Sequence, residues 1–288
     1  MNLHQRNDTL SECDREAIHH IAAVQNFGGL IAADPQGRVV QASANIADLL
    51  GLADSPAPGT ALAAIIAPDA LATLDQAFAG LAGIDTLERR FGLDLTGKGQ
   101  QFDCAVHISG GLRVIEFEHH ARNDFADHVS MIVPVIAQLE QAATVAALCD
   151  TAARLVRQMT GYDRVMVYRF HPDESGEVIA EDRDEALEPF KGLRYPAADI
   201  PQQARELFRR NRFRIIADMD SDPVPILPAT GPDDMPLDLS MSMLRSHSKM
   251  HLAYMHNMGV GASLAIAIVR HDRLWGMISC HHRAARLP

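Results

Sequence analysis

Between Val135 and Met159 apolar residues recur at helical spacing. Leu139, Ala142, Val145, Ala146, Leu148, Ala152, Leu155, Val156 and Met159 form one apolar face, and Gly161 follows as a stop signal. The spacing predicts one long helix over 135–159. Strand-like runs lie on both sides of it, so the chain divides into two halves that each build a sheet. A length of 288 residues suits two domains, and each half is long enough to bury a core of its own.

In the first half, Leu30 to Ser43 reads as two apolar strands around Asp34-Pro35-Gln36-Gly37, a strong hairpin signal. Asn45 to Leu50 reads as a short helix ending near Gly51. Strands follow at 90–93, 101–108 and 112–119, the last two joined through Gly110-Gly111. In the second half, 164–170 and 176–180 read as a strand pair, and a helix follows Ile200-Pro201 from Gln203 to Arg209. Residues 212–217 read as a strand, and the Pro- and Asp-rich stretch 218–238 as a long loop. A helix over 239–255 and strands at 263–270 and 273–281 complete the pattern. Both halves are α+β.

Composition narrows the function classes. Apolar residues make up 47% of the chain and charged ones 22%, a soluble globular profile. A net charge of -11 gives no basic footprint for nucleic acid. No apolar run approaches the ~20 residues of a membrane span, and the polar N-terminus has no secretory core. A cytoplasmic location is the expectation. Four cysteines, Cys13, Cys104, Cys149 and Cys280, include no CxxC pair, so no structural zinc site is expected. Cys104, Cys149 and Cys280 fall in patterned strands or helix and read as core. Cys13 sits in a polar, unpatterned arm, open to chemistry.

Local reading gives the remaining polar residues ordinary roles. Asp199 before Ile200-Pro201 suits a turn or cap. His251 and His281 on patterned segments suit satisfied core positions. Neighbouring histidines such as His19-His20, His119-His120 and His281-His282 would point to opposite faces on a strand, which argues against a shared metal. No nucleophile–base pair stands out.

Five motifs in order add a resemblance. They are Cys13-Asp-Arg-Glu-Ala-Ile-His19, Asp163 to Phe170 with Gly176 to Glu181, Arg194-Tyr-Pro-Ala-Ala-Asp-Ile-Pro-Gln-Gln-Ala-Arg205, Leu244-Arg-Ser-His-Ser-Lys-Met-His251, and Asn257 to Ser263 with Leu274 to His282. Together they resemble the light-sensing core of bacteriophytochromes over nearly the whole chain. The resemblance implies an α+β fold of a PAS domain followed by a GAF domain, each a central antiparallel sheet with flanking helices, joined by a figure-of-eight knot. It implies an arm at 1–17, PAS at 18–126 and GAF at 127–288.

It also implies a covalent biliverdin. A thiol adds to a vinyl group of the bilin, and family members that use biliverdin carry that cysteine in the N-terminal arm, as Cys13. Members that use phycobilins carry it directly after the GAF histidine, where this chain has Leu252. By the same resemblance, the Asp199 carbonyl in Asp199-Ile200-Pro201 accepts from the pyrrole N–H groups. Arg214 and Arg245 pair with the propionates, and Ser248 and Ser263 add hydroxyls. His251 lies by the pyrrole nitrogens through a water, and His281 bonds the ring D carbonyl. Met166, Tyr168, Tyr195 and Tyr254 surround ring D, and Phe208 stands where relatives often have tyrosine. Val24-Gln-Asn-Phe-Gly28 departs from the usual Ile-Gln-Pro-His-Gly. The full-length protein is expected to add a PHY domain and an output module, often a histidine kinase. This stretch itself is expected to have no catalytic activity and to form homodimers through the GAF helices. A bilin-free PAS–GAF module that binds another ligand or protein is the alternative.

Overall fold

The computed structural model of the chain describes residues 16–83, 85–121, 125–232 and 234–287, with backbone alone over 125–131. Cys13 lies outside the described residues. The described chain divides into two compact units. The first holds the described residues within 17–121 and 220–248; the second holds those within 125–219 and 249–287 together with Glu16. Residues 220–248 pack with the first unit.

The first unit is a seven-stranded sheet among the described residues. It contains β1 (Ala23–Val24), β2 (Gly28–Ala33), β3 (Val39–Ser43), β4 (Glu88–Leu93), β5 (Phe102–Ser109), β6 (Leu112–His119) and, from the later segment, β11 (Val224–Leu227). Their order is β1-β11-β3-β2-β6-β5-β4, and each pairing is antiparallel. The β2–β3 turn forms as its residues dictate: Gly37 takes φ 74, and the Arg38 N–H donates to the Asp34 carboxylate at 2.8 Å.

All six residues of β2 are buried because both faces of the sheet are covered. On one face Ile31, Val106, Ile115 and Phe117 pack with Ile46 and Leu50 of α1 (Ile46–Leu50) and Leu74 and Ala77 of α2 (Pro68–Gly80). On the other, Leu30, Ala32 and Val114 pack with Ile226, Leu237, Leu239 and Leu244. Alternate residues of one strand therefore serve two cores.

Segment 220–248 differs from its sequence reading in two ways. The expected loop contains β11, and 239–248 is irregular instead of helical. Both of its arms bond the start of the chain. Ile226 N–H donates to Ala22 O at 2.9 Å, Leu239 N–H to His19 O at 2.8 Å, and Gln25 N–H to Leu244 O at 2.7 Å. The buried Glu116 carboxylate accepts from the N–H groups of Met243 at 3.0 Å and Leu244 at 2.9 Å, and from the Ser242 hydroxyl. These bonds replace the intrahelical ones a helix would offer.

The second unit opens with two helices where one was expected: α3 (Phe125–Glu140) and α4 (Val145–Thr160), divided before Thr144, whose hydroxyl caps Ala147 N–H at 3.1 Å. Its sheet orders as β10-β12-β13-β7-β8-β9, built from β7 (Arg164–Phe170), β8 (Gly176–Arg183), β9 (Arg194–Tyr195), β10 (Phe213–Ile216), β12 (Ala262–Arg270) and β13 (Arg273–His282). α5 (Gln202–Arg210) and α6 (Lys249–Asn257) belong to the same unit. Among the described residues no helix is long and apolar enough to cross a membrane.

Candidate functional site

Strand register assembles the site. Across an antiparallel sheet, directly paired residues share a face. Met166 pairs with Ser279, Tyr168 with Met277, and Arg164 with His281. His281 pairs in turn with Ser263, Ser279 with Ala265, and Ala265 with Arg214. Met166, Tyr168, Arg214, Ser263 and His281, five residues singled out in the sequence, therefore lie on one face of the second sheet. The opposite face sends Val165, Val167, Leu264, Ile278 and Cys280 against Cys149 and Ala153 of α4. That side is core, which frees the first for a ligand. Cys104, Cys149 and Cys280 are buried, as their patterning implied.

Elements that follow the sheet edges cover the site face. Met166, Tyr168, Val178 and Met277 form an apolar cluster with Tyr195, Ile200 and Phe208. A short 3-10 turn, Ala197–Asp199, ends there, and Pro201 is the N-cap of α5. The proline forces the preceding Ile200 into extended backbone, φ -126 and ψ 91, so the turn cannot run on into the helix. On the other flank Leu252 and Met255 of α6 pack with Ile216 and Val260. His251 and Tyr254 stand three apart on α6, hence on one side of it. The Gln203 side chain donates to Glu16 O at 3.0 Å, so the arm three residues past Cys13 is tied to the helix that follows Asp199.

Charge binds this neighbourhood together. The Tyr168 and Tyr195 rings are 6.0 Å apart. Burial raises the Tyr168 hydroxyl's pKa, with the Asp199 carboxylate next in effect. Tyr254 is pushed up to about 12 by partial burial, then by Asp199 and Tyr195. Asp199 thus lies within electrostatic reach of both tyrosines.

His281 opens on a cavity of about 320 Å³ that Arg164, Phe190, Val260 and Gly259 also line. Burial, then the Arg164 guanidinium and His251, pull its imidazole down to about 4, so it is neutral at pH 7. Its Nε2 lies 3.2 Å from Ser279 Oγ. Arg164 is itself fixed by Glu181, Nε to Oε1 at 3.2 Å, with the two side chains 6% and 3% exposed. Its guanidinium lies 3.6 Å from the Phe190 ring centroid.

Cys13 is outside the described residues, and Arg245 and Ser248 belong to the first unit. There Arg245 is 7% exposed and donates to Ile18 O; burial holds its guanidinium down at about 10. The residues missed in the sequence are Arg164, Phe190 and Ser279. Ser279 had a signal: it stands two before His281 on one strand, hence on its face. Among the described residues no His, Cys, Asp and Glu group is placed to hold a metal ion.

An aromatic and methionine wall, an arginine, a neutral imidazole and a carboxylate-bearing turn fit a flat conjugated ligand that carries both acid groups and N–H donors. Gly176 deepens the wall, since a side chain there would meet the Tyr168 ring.

Two family models match the chain. A model described as PAS fold matches residues 13–120, and one described as GAF domain matches 144–288. The chain is 40% identical over 288 residues to a bacteriophytochrome of Pseudomonas aeruginosa, covering 97% of this chain and 38% of that protein. It is 39% identical to a bacteriophytochrome of Xanthomonas campestris pv. campestris, covering 95% and 43%. It is 35% identical to the phytochrome-like protein Cph1 of Synechocystis, covering 98% and 38%. The chain therefore spans about two fifths of the length of these relatives.

Proposed function

The chain belongs to the phytochrome family, and we propose that it is the chromophore-binding part of a red/far-red photoreceptor, holding biliverdin on the Met166–Tyr168–His281 face through a thioether to Cys13. The observation that carries this reading is the register that gathers Met166, Tyr168, Arg214, Ser263 and His281 on the sheet face not used by the core. When bound, the bilin supplies light absorption and isomerisation at the double bond between rings C and D. The protein orients it, excludes water and sets its charge.

Each residue then has a task. The Asp199 backbone carbonyl accepts from the pyrrole N–H groups, and its carboxylate favours the protonated, cationic pigment. Arg214 holds a propionate by a guanidinium fork, with Ser263 beside it. Tyr168, Tyr195, Tyr254 and Met166 enclose ring D, and Phe208 withholds a phenol near a propionate. His251 reaches the pyrrole nitrogens through water, and neutral His281 donates to the ring D carbonyl. The propionate roles of Arg245 and Ser248 rest on the family resemblance alone. Leu252, which has no thiol, supports biliverdin over phycobilins, as do the bacterial relatives.

The bonds from both arms of 220–248 to residues 19–25 support the figure-of-eight threading of the family. Exposed Ile136, Val145 and Leu148 on α3 and α4 support dimerisation through these helices. The PHY and output modules of the full-length protein, its kinase activity and its cytoplasmic location belong to the same reading.

Adding biliverdin to the purified apoprotein tests it. A red absorption band that changes on red illumination is expected, with pigment retained after denaturation and lost in Cys13→Ser. Absence of a red band overturns the reading.

A further inference from the structure

We infer that Gln203 is a positioning residue for the thiol addition: by holding the Glu16 carbonyl against α5 it keeps short the stretch of arm that carries Cys13, and so speeds covalent capture of the ligand. The capture rests on the ligand reading above; the tether does not.

The tether has a fixed polarity. Gln203 Nε2 lies 3.0 Å from the backbone oxygen of Glu16. A carbonyl oxygen can only accept, so the side-chain amide N–H is the donor. Glu16 and α5 belong to the same unit. Gln203 also stands on the side of α5 that meets the protein: Gln203, Ala204, Leu207 and Phe208 are half-buried, while Gln202, Glu206 and Arg209 are exposed. A long polar side chain on the half-buried stripe needs a polar partner, and the arm offers one.

The helix gives the tether a firm base. Phe208 packs into the Met166–Tyr168 cluster. Arg205 holds α5 to the β7–β8 turn, its Nη2 2.8 Å from Glu174 Oε2 and its Nη1 3.3 Å from Glu174 O. The arm is therefore tied to an element that follows Asp199 and Ile200 and helps to line the ligand face.

Chain length connects the tether to a rate. Cys13 stands three residues before Glu16, a span of at most about 11 Å. Among the described residues, the next carbonyl bonded to a distant residue is that of Ile18, which accepts from Arg245 of the first unit. Losing the Gln203 bond lengthens the stretch between Cys13 and its nearest described anchor from three residues to five. Effective concentration falls as about the −3/2 power of length or more steeply, so capture should slow roughly two- to fivefold. The step itself balances. The Cys13 S–H adds across the vinyl C=C, an S–C bond forms, the thiol proton goes to the adjacent carbon, and no oxidant or reductant takes part.

The experiment compares wild type, Gln203→Glu, which keeps the shape and loses the donor, and Gln203→Lys, which restores one. In apoprotein, limited trypsin cleavage reads the tether at the Arg15–Glu16 bond. Gln203→Glu should be cut there roughly threefold faster than wild type, about the worth of an exposed hydrogen bond. Gln203→Lys should return toward wild type, and the cut after exposed Lys98 should be unchanged in all three. With biliverdin added, pigment retained after denaturation is followed in time, and growth of the red band is followed separately in the Cys13→Ser background. Capture should slow roughly two- to fivefold in Gln203→Glu and recover in Gln203→Lys, while band growth stays the same. Unchanged cleavage at Arg15–Glu16 overturns the tether. Faster cleavage with unchanged capture overturns the positioning role, and so does an equal slowing of band growth, which a general loss of pigment binding would give. Failure of wild type to form a red band overturns the ligand reading and with it the role in capture, while trypsin still decides the tether.

Discussion

Gly176 lies directly against the ring of Tyr168: a Cβ built on it would come within 1.8 Å of both Cζ and the phenol oxygen. Gly176 begins β8 and pairs with Phe170 of β7 and Tyr195 of β9. The tyrosine that forms one wall of the pocket thus lies across the strand beside it, in space that a side chain would fill. Gly176→Ala should force the ring outward and cost about 1–3 kcal/mol, the usual range for overpacking. Urea midpoints check this. Tyr168→Leu in the same chain should relieve much of the loss, so the double variant should be less destabilised than the sum of the singles.

A second prediction concerns Glu116, which is 2% exposed and accepts from three donors in 242–244. Charged acceptors make the stronger hydrogen bonds, and removing one leaves buried donors orphaned. Glu116→Ala should cost about 2–4 kcal/mol by those same terms. Amide exchange at Met243 and Leu244 should accelerate well beyond that of β5. Equal acceleration everywhere would mean that Glu116 supports the whole sheet and not this segment in particular.

Much of this architecture was legible in the sequence because its signals were local. The hairpin at Asp34–Gly37, the helix stop at Gly161 with φ 66, and the β12–β13 pair all depend on residues close in sequence. The errors share one cause, the reliance of an element on distant partners. β11 contains Pro225 and is flanked by Pro223 and Pro228, which reads as loop; it is a strand because β1 and β3 supply its ladder. Leu239, Met241 and Leu244 suggest a helical face, yet Glu116 captures that backbone. The α3–α4 break hid because Ala142 and Val145 continue the apolar spacing across it; Thr144 as a cap was its one local trace. In the site, Met166, Tyr168, Arg214, Ser263 and His281 share one sheet face, while Arg164 and Phe190 were missed because their role comes from burial and stacking.

The Arg164–Glu181 pair gives a third prediction. Both side chains are nearly inaccessible, and Glu181 Oε2 also accepts from the N–H groups of Phe190 at 2.9 Å and Lys191 at 3.0 Å. Removing one partner leaves the other charge uncompensated, at about 3–5 kcal/mol for a buried pair. Glu181→Gln should therefore be strongly destabilising. Arg164→Met with Glu181→Leu should recover part of that loss. Denaturant melts of the two variants decide the matter, and a double variant as unstable as Glu181→Gln would show that the 188–191 turn matters more than the charge.

The last prediction is a pH dependence of the apoprotein. His281 titrates near 6.5 when unfolded and about 4 when folded. Between those values the unfolded chain binds more protons, so stability is fully present above about pH 6.5 and falls as pH drops toward 4. At 1.36 kcal/mol per pH unit the ceiling is about 3 kcal/mol; because the ring opens on a water-accessible cavity, the realised loss should be a fraction of that. His107, pushed down by burial in the first unit, contributes with the same sign. Melts alone therefore mix two histidines, and NMR titration of each ring separates them. Burial is the main cause at His281 and Arg164 the next, so Arg164→Met should raise its midpoint while leaving that of His107 unchanged. A midpoint that stays near 4 in Arg164→Met would assign the whole depression to burial and to His251.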